Sequence, residues 1–378
     1  MLFTRLIWWG LTGLLVVSET GAEKARLRVA HIGLELDGSW RFSKDVSLAQ
    51  DGELVGVADP HPDLLDRARK AFPQGVRFYT DYRVMLGELR PDAVTSTTPN
   101  AQHLEIVREC AKRGIHVWFQ KPMATSARDA RQMEQLASQR GITLMISDHT
   151  RFSPAAQEIG ARLKAGELGP LQRLHIVNRF SASKVLSPYY AGYFREPARH
   201  GGGAIMDQGT YGINWAICLL GRPDSVFATG RQLNQDPRVP LEDHGWVIMN
   251  YGSAVAIVEG GWWAKPDFGR GGRGEFQASG PKGSLTRLND QVVLEPAIPE
   301  NDPAAVSSPQ PLTPRAVPPH MADGISHFLH SVRYQKPVAE PHTPRVNVIV
   351  NEVVEAAYES IRTGRAVPLA ATNGRSPR

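Results

Sequence analysis

Short apolar runs alternate with amphipathic helical stretches over the first third of the chain. Leu27-Arg28-Val29-Ala30-His31-Ile32 runs into Gly33 and predicts a short buried strand. Glu53 to Asp59 predicts a second strand that ends on a carboxylate. From Pro62 to Phe72, the positions Leu64, Leu65, Ala68 and Phe72 fall on one face of a helix. Asp92 to Thr97 predicts a third strand, and Gln102 to Arg113 a helix stopped by Gly114. Ile115 to Phe119 and Ile142 to Ser147 predict further strands, separated by a helix from Ala127 to Arg140 that Gly141 closes. Strands and helices alternating with short loops specify a parallel, doubly wound sheet. A Rossmann-type α/β domain is therefore expected over residues 23–148.

Beyond residue 150 the pattern changes. A helix from Pro154 to Ala165, a strand from Gln172 to Phe180 and an amphipathic helix from Ala204 to Leu220 come first. Strands then follow with few helices between them, at Ser225 to Leu233, Gly245 to Tyr251, Ala254 to Trp263, Gly274 to Ser279 and Gln291 to Glu295. Successive strands of that kind make an open, mostly antiparallel sheet, so residues 149–368 are expected to form an α+β domain. Residues 296–319 hold eight prolines and predict an irregular loop. Met321 to Arg333 and Val346 to Thr363 predict closing helices, and residues 369–378 a disordered tail.

The length of 378 residues suits two domains, and 42% hydrophobic with 21% charged residues is ordinary globular composition. The net charge of +5 is mild and scattered, with no aromatic-interleaved basic stripe, so nothing marks a nucleic-acid surface. The N-terminus is more telling. Arg5 precedes an apolar run from Leu6 to Val17, and Thr20-Gly21-Ala22 follows. That layout predicts a secretory signal over residues 1–22, placing the mature protein outside the cytoplasm, secreted or periplasmic. The run is too short for a spanning helix, so no stable membrane span is expected after cleavage. Cys110 and Cys218 each lie in an apolar helical context and predict buried free thiols.

Several groups could carry chemistry. Gly33-Leu34-Glu35-Leu36-Asp37-Gly38 occupies the first strand-to-helix turn of the first domain. Gly33 and Gly38 match a dinucleotide fingerprint, whereas Glu35 puts a negative side chain where the middle glycine lets backbone approach a pyrophosphate. Asp59 stands where a carboxylate can hydrogen-bond ribose hydroxyls and repel a 2′-phosphate, which favours NAD over NADP. Thr98-Pro99-Asn100, with His103 one turn on, follows the third strand, and Gln120-Lys121-Pro122 follows the fourth. Both lie at the carboxyl edge, where such sheets bind ligands; Asn100 could equally cap the helix after it. Gly201-Gly202-Gly203 permits tight chain entry or backbone contact with a ligand, and it leads to Asp207 and Tyr211, four residues apart on one helix face.

These motifs, together with Gly280-Pro281-Lys282-Gly283-Ser284-Leu285, resemble the Gfo/Idh/MocA oxidoreductases over about residues 26–368. The resemblance implies a Rossmann domain, an α+β domain whose open sheet makes a homo-oligomer (a dimer or tetramer), and NAD or NADP chemistry on sugars and polyols. It assigns Lys121, Asp207 and Tyr211 to catalysis, and the tyrosine version is similar to the glucose–fructose oxidoreductase branch. Two residues depart from the pattern: Gln120 stands where Glu is usual, and Glu35 replaces the middle glycine.

The expected reaction is hydride transfer between a carbinol carbon and nicotinamide, with Tyr211 exchanging the hydroxyl proton. A phenol with an ordinary pKa of about 10 needs the Lys121 charge beside it to act near neutral pH. Asp207 would orient the substrate or Lys121. His149, Arg151 and Trp262 are expected at the substrate, with Trp262 and Trp263 stacking on a sugar or packing. Gly33, Glu35, Gly38, Asp59, Thr98, Pro99, Asn100, His103 and Gln120 are expected around the cofactor. Export further implies a tightly held cofactor that returns its own hydride. Sugar-to-sugar hydride exchange fits that requirement; glycoside cleavage by oxidation and elimination, and a sugar-binding protein without cofactor, are the alternatives. His327 and His330 lie three apart on a helix, but no third ligand is suitably spaced and no metal is expected.

Overall fold

The computed structural model describes residues 25–181, 195–234, 237–263, 275–288, 291–298 and 306–369. The expected signal segment, Arg270 and Arg273 of a glycine-rich stretch that the sequence reads as solvated, and the tail from residue 370 lie outside the described residues.

Six strands form the first sheet: β1 (Leu27–Ile32), β2 (Gly52–Ala58), β3 (Arg77–Tyr79), β4 (Ala93–Ser96), β5 (His116–Gln120) and β6 (Leu144–Ser147). Their order is β3-β2-β1-β4-β5-β6 and every pair is parallel. All residues of β4 and β6 are buried, as strands covered on both faces should be. The helices of this half are α1 (Asp37–Leu48), α2 (Pro62–Ala71), α3 (Tyr82–Leu89), α4 (His103–Lys112) and α5 (Ala127–Arg140). Strand order reverses between β1 and β4, so a crevice opens at their carboxyl ends. Three of these elements escape the sequence pattern. Gly38, Ser39, Ser43 and Ser47 dilute the helical signal of α1, β3 is three residues long, and α3 is a short helix of eight.

The second sheet contains β7 (Arg173–Ser181), β8 (Ser225–Arg231), β9 (His244–Asn250), β10 (Val255–Trp263), β11 (Glu275–Gly280), β12 (Gly283–Leu288), β13 (Gln291–Pro296), β14 (Gln310–Leu312) and β15 (Val367–Pro368). They run in the order β14-β13-β12-β11-β7-β10-β9-β8-β15. All neighbours are antiparallel except β7 and β10, which pair in parallel through the centre. The fold is thus a Rossmann-type α/β domain joined to an α+β domain with a mostly antiparallel sheet. Ala256, Val258, Leu174 and Ile176 turn inward onto α6 (Pro154–Lys164), α8 (Thr210–Leu220) and α10 (Pro344–Thr363). The proline-rich stretch carries β14 within it, so that loop is partly strand.

The last helices depart from the sequence reading. On α9 (Gly324–Tyr334), Ile325, Phe328 and Leu329 pack with Val29, Ala93, Trp118 and Met145, so it covers the first sheet. α10 joins the halves: Glu355 accepts from Ala127 N at 2.7 Å, and Asn351 donates to Ala124 O at 2.7 Å. Cys110 is buried and Cys218 half-buried; both are free thiols.

Candidate active site

Lys121 follows β5 directly, and its backbone N–H bonds Ser147 O at the end of β6 (3.1 Å). The peptide bond between Lys121 and Pro122 is cis. The side chain crosses to the second domain, where Nζ lies 2.7 Å from Asp207 Oδ1 and 2.5 Å from the Asp207 carbonyl oxygen. Asp207 sits in a single π-helical turn, Ile205–Gly209, ahead of α8, and such turns often mark functional positions. Its other oxygen, Oδ2, accepts from Trp262 Nε1 at 2.8 Å and from Gln208 Nε2 at 2.7 Å. Burial alone would raise this carboxyl's pKa. The Lys121 charge and the hydrogen bonds outweigh burial and hold it below the usual carboxylate range.

Tyr211 opens α8. The Lys121 ammonium lies 4.1 Å from its ring centroid, and its hydroxyl is 3.3 Å from His149 Nδ1. His149 follows β6 and meets the Tyr211 ring edge-on. Desolvation, aided by the charges of Lys121 and Arg41, pushes its pKa down to about 4 although the residue keeps contact with solvent. The imidazole is therefore neutral near pH 7.

The glycine triplet serves packing beneath this centre. A side chain on Gly202 would collide with the Tyr358 hydroxyl, and one on Gly203 with the Glu242 backbone. Tyr358 accepts from Gly203 N (3.0 Å) and donates to Glu242 Oε1 (2.7 Å), which also accepts from Ile205 N (3.1 Å). These bonds anchor the start of the π turn.

At the crevice, Gly33 adopts φ +93° and approaches Thr98 so closely that a Cβ would strike it. Its carbonyl accepts from Thr97 Oγ1 at 2.9 Å. Asp59 is 2% exposed and accepts from Leu34 N (2.6 Å) and His61 N (2.8 Å), so it braces the loop from behind. The α1 N-terminus, with Gly38 in its first turn, takes no side-chain cap. Glu35 is bound by Arg199 Nη2 at 2.7 and 2.9 Å, and the same guanidinium meets Glu196 at 3.3 Å, so the charge of Glu35 is offset in part. A strand-order switch, a glycine turn and an uncapped helix start fit a dinucleotide with Glu35 offset in this way.

Four expected contacts lie elsewhere. Trp262 is 1% exposed and bonds Asp207, so it is no surface for a sugar to stack on. Arg151 is buried with its guanidinium over the Trp215 ring, a stacking partner in the core of the second domain. His103 is buried against Phe119, its ring nitrogens facing the Met123 and Thr98 carbonyls, so it shapes the loop from within. Asn100 caps no helix; its amide donates to His200 O in the second domain (2.7 Å). Thr98 is buried, and Gln120, half-buried, ends β5. His327 Nε2 accepts from Ala339 N, His330 faces Asp51, and no group of three metal-ligating side chains occurs among the described residues. Sequence reasoning missed Gln208, Glu242, Tyr358 and Arg199; only Arg199, two residues before the glycines and opposite in charge to Glu35, offered a signal.

A nucleotide crevice facing a lysine, carboxylate and phenol across a domain junction defines a NAD-binding oxidoreductase. Residues 27–147 match the family described as oxidoreductase family, NAD-binding Rossmann fold, and residues 156–286 match the GFO/IDH/MocA C-terminal domain. The chain belongs to the GFO/IDH/MocA oxidoreductases. It is 29% identical over 299 residues to D-xylose 1-dehydrogenase (NADP(+)) 2 of Haloferax volcanii, covering 77% of this chain and 84% of that one. It is 28% identical over 336 residues to D-apiose dehydrogenase of Paraburkholderia graminis, covering 86% and 85%. Its fold is similar to that of aldose-aldose oxidoreductase from Caulobacter crescentus, with a TM-score of 0.74 and 22% identity over 91% of this chain and all of that one. No helix among the described residues is long and apolar enough to cross a membrane.

Proposed function

We propose that the protein oxidises or reduces a CH–OH group of a sugar or polyol with NAD or NADP, using Lys121, Asp207 and Tyr211. One observation carries this reading: a buried lysine is bound to Asp207 at 2.7 Å and lies 4.1 Å from the Tyr211 ring, beside the nucleotide crevice. The names of the xylose and apiose dehydrogenases support a sugar as substrate.

The bound nicotinamide supplies the hydride acceptor or donor. Gly33, Gly38 and the backbone of Glu35 on one side of the crevice, and Thr98 and Pro99 on the other, would hold the dinucleotide. Tyr211 exchanges the substrate's hydroxyl proton, and the ammonium over its ring stabilises the negative charge that develops on the phenol oxygen. Asp207 fixes the ammonium in place, while Trp262 and Gln208 fix Asp207. Neutral His149 accepts or donates the other hydrogen bond at the phenol.

We read the N-terminal segment as an export signal, so that the hydride must be returned within the same site. We take the open sheet of the second domain as the surface through which a homo-oligomer would form.

The test is to denature the purified protein, assay the supernatant for NAD(P), and offer the native protein both dinucleotides and a panel of aldoses and polyols. Released or bound dinucleotide with sugar-dependent reduction is expected. A protein that neither releases nor binds either dinucleotide would overturn the reading.

A further inference from the structure

The short helix α7 (Pro197–His200) belongs to the second domain yet lies against the carboxyl edge of the first sheet. It meets three successive loops there. Arg199 binds both carboxylate oxygens of Glu35 after β1, His200 O accepts from Asn100 after β4, and Gly201 packs on Thr125 after β5. Glu35 stands where a glycine would admit a pyrophosphate. An unpaired carboxylate there would repel that ligand. Here the carboxylate is 18% exposed and engaged by a guanidinium from the opposite domain.

We infer that Glu35 and Arg199 form an interdomain clasp over the dinucleotide crevice, which sets how long the cofactor stays bound. The inference rests on the dinucleotide reading above. A glycine at position 35 would leave the crevice held by weaker contacts. The glutamate gives the loop an anchor that the second domain can grip, and Arg199, which also meets Glu196 at 3.3 Å, offsets part of the charge that Glu35 would turn toward the phosphates. A doubly contacted, part-buried ion pair is stronger than a freely exposed one, and its opening has to precede release of a ligand lying beneath it.

The test loads the purified protein with NADH, and with NADPH in parallel, then chases with excess oxidised dinucleotide and follows the fluorescence of the departing ligand. Glu35→Gln and Arg199→Ala are each expected to release it about fivefold faster than wild type. Arg199→Lys, which keeps a positive charge within reach of Glu35, should release more slowly than Arg199→Ala, and added salt should speed release from wild type more than from Arg199→Ala. Single variants that release at the wild-type rate overturn the clasp. Slower release from Glu35→Gln also overturns it, because Glu35 would then only repel the phosphates. Wild type that binds neither dinucleotide overturns the underlying functional reading instead, and the clasp with it.

Discussion

Trp262 donates its indole N–H to Asp207 Oδ2 at 2.8 Å, across the seam between β10 and the π turn. The indole is buried, so its influence on the reaction passes through that carboxylate. Trp262→Phe keeps an aromatic ring at the site and removes the donor, at the cost of a small cavity. Hydrogen bonds to charged groups contribute about 1.5–3 kcal/mol, so kcat should fall about tenfold or more. KM for the sugar and Kd for NADH should stay within about twofold. A raised KM with unchanged kcat would mean that Trp262 binds substrate directly. Steady-state kinetics on a purified variant separates the two outcomes.

Lys121 and Asp207 are both largely buried, with side-chain exposures of 7% and 8%, so each is the other's main compensation. Lys121→Met leaves the carboxylate uncompensated and should cost about 3 kcal/mol of stability. Lys121→Met/Asp207→Asn leaves no buried charge and should recover part of that loss. Urea unfolding of wild type, both single variants and the double variant measures the coupling. Strictly additive losses would show that the two charges do not sense each other.

Buried histidines set an acid limit on stability. Burial, opposed by backbone hydrogen bonds, pushes His31 and His103 down to about 4 from an ordinary 6.5; burial also pushes His200 to about 4, although the Asp207 charge opposes it. An unfolded chain protonates these rings below 6.5, while the folded chain does so only near 4. Unfolding therefore takes up protons in that window, close to one for each of these rings and for His149 and His327, which desolvation also holds at about 4, and stability falls as pH drops through it. Asp207 behaves differently. Its folded value lies below the ordinary 3.8, so its contribution persists through the histidine window and is lost only at lower pH. The urea midpoint should hold steady above about pH 7 and decline toward about pH 4. A midpoint that stays flat across that range would contradict the neutral burial of these rings.

The Rossmann half was legible because its apolar runs and glycine stops follow the 2- and 3.6-residue periods. Lys121, Asp207 and Tyr211 stood out because acid, amine and phenol sit at loop and helix positions where a core has no use for them. What sequence could not show is pairing over distance. Trp262 reaches a carboxylate 55 residues away, Arg199 meets Glu35 across 164, and α9 returns to cover the first sheet. The parallel pairing of β7 with β10 left no local mark either, since the inward residues of both strands alternate as they would in antiparallel partners. Arg151 looked like a cleft residue only because its stacking partner, Trp215, is remote in the chain.

The central claim is that Tyr211 exchanges the substrate proton at a hydride-transfer site built with Lys121 and Asp207. It is tested most directly by single-turnover kinetics of Tyr211→Phe, mixing dinucleotide-loaded protein with a sugar that wild type turns over and following the reduced nicotinamide. The phenylalanine keeps the ring under Lys121 and removes only the hydroxyl. The rate should fall about a hundredfold or more, while the dissociation constant for NADH is unchanged. Turnover at the wild-type rate would contradict the claim and remove Tyr211 from the chemistry.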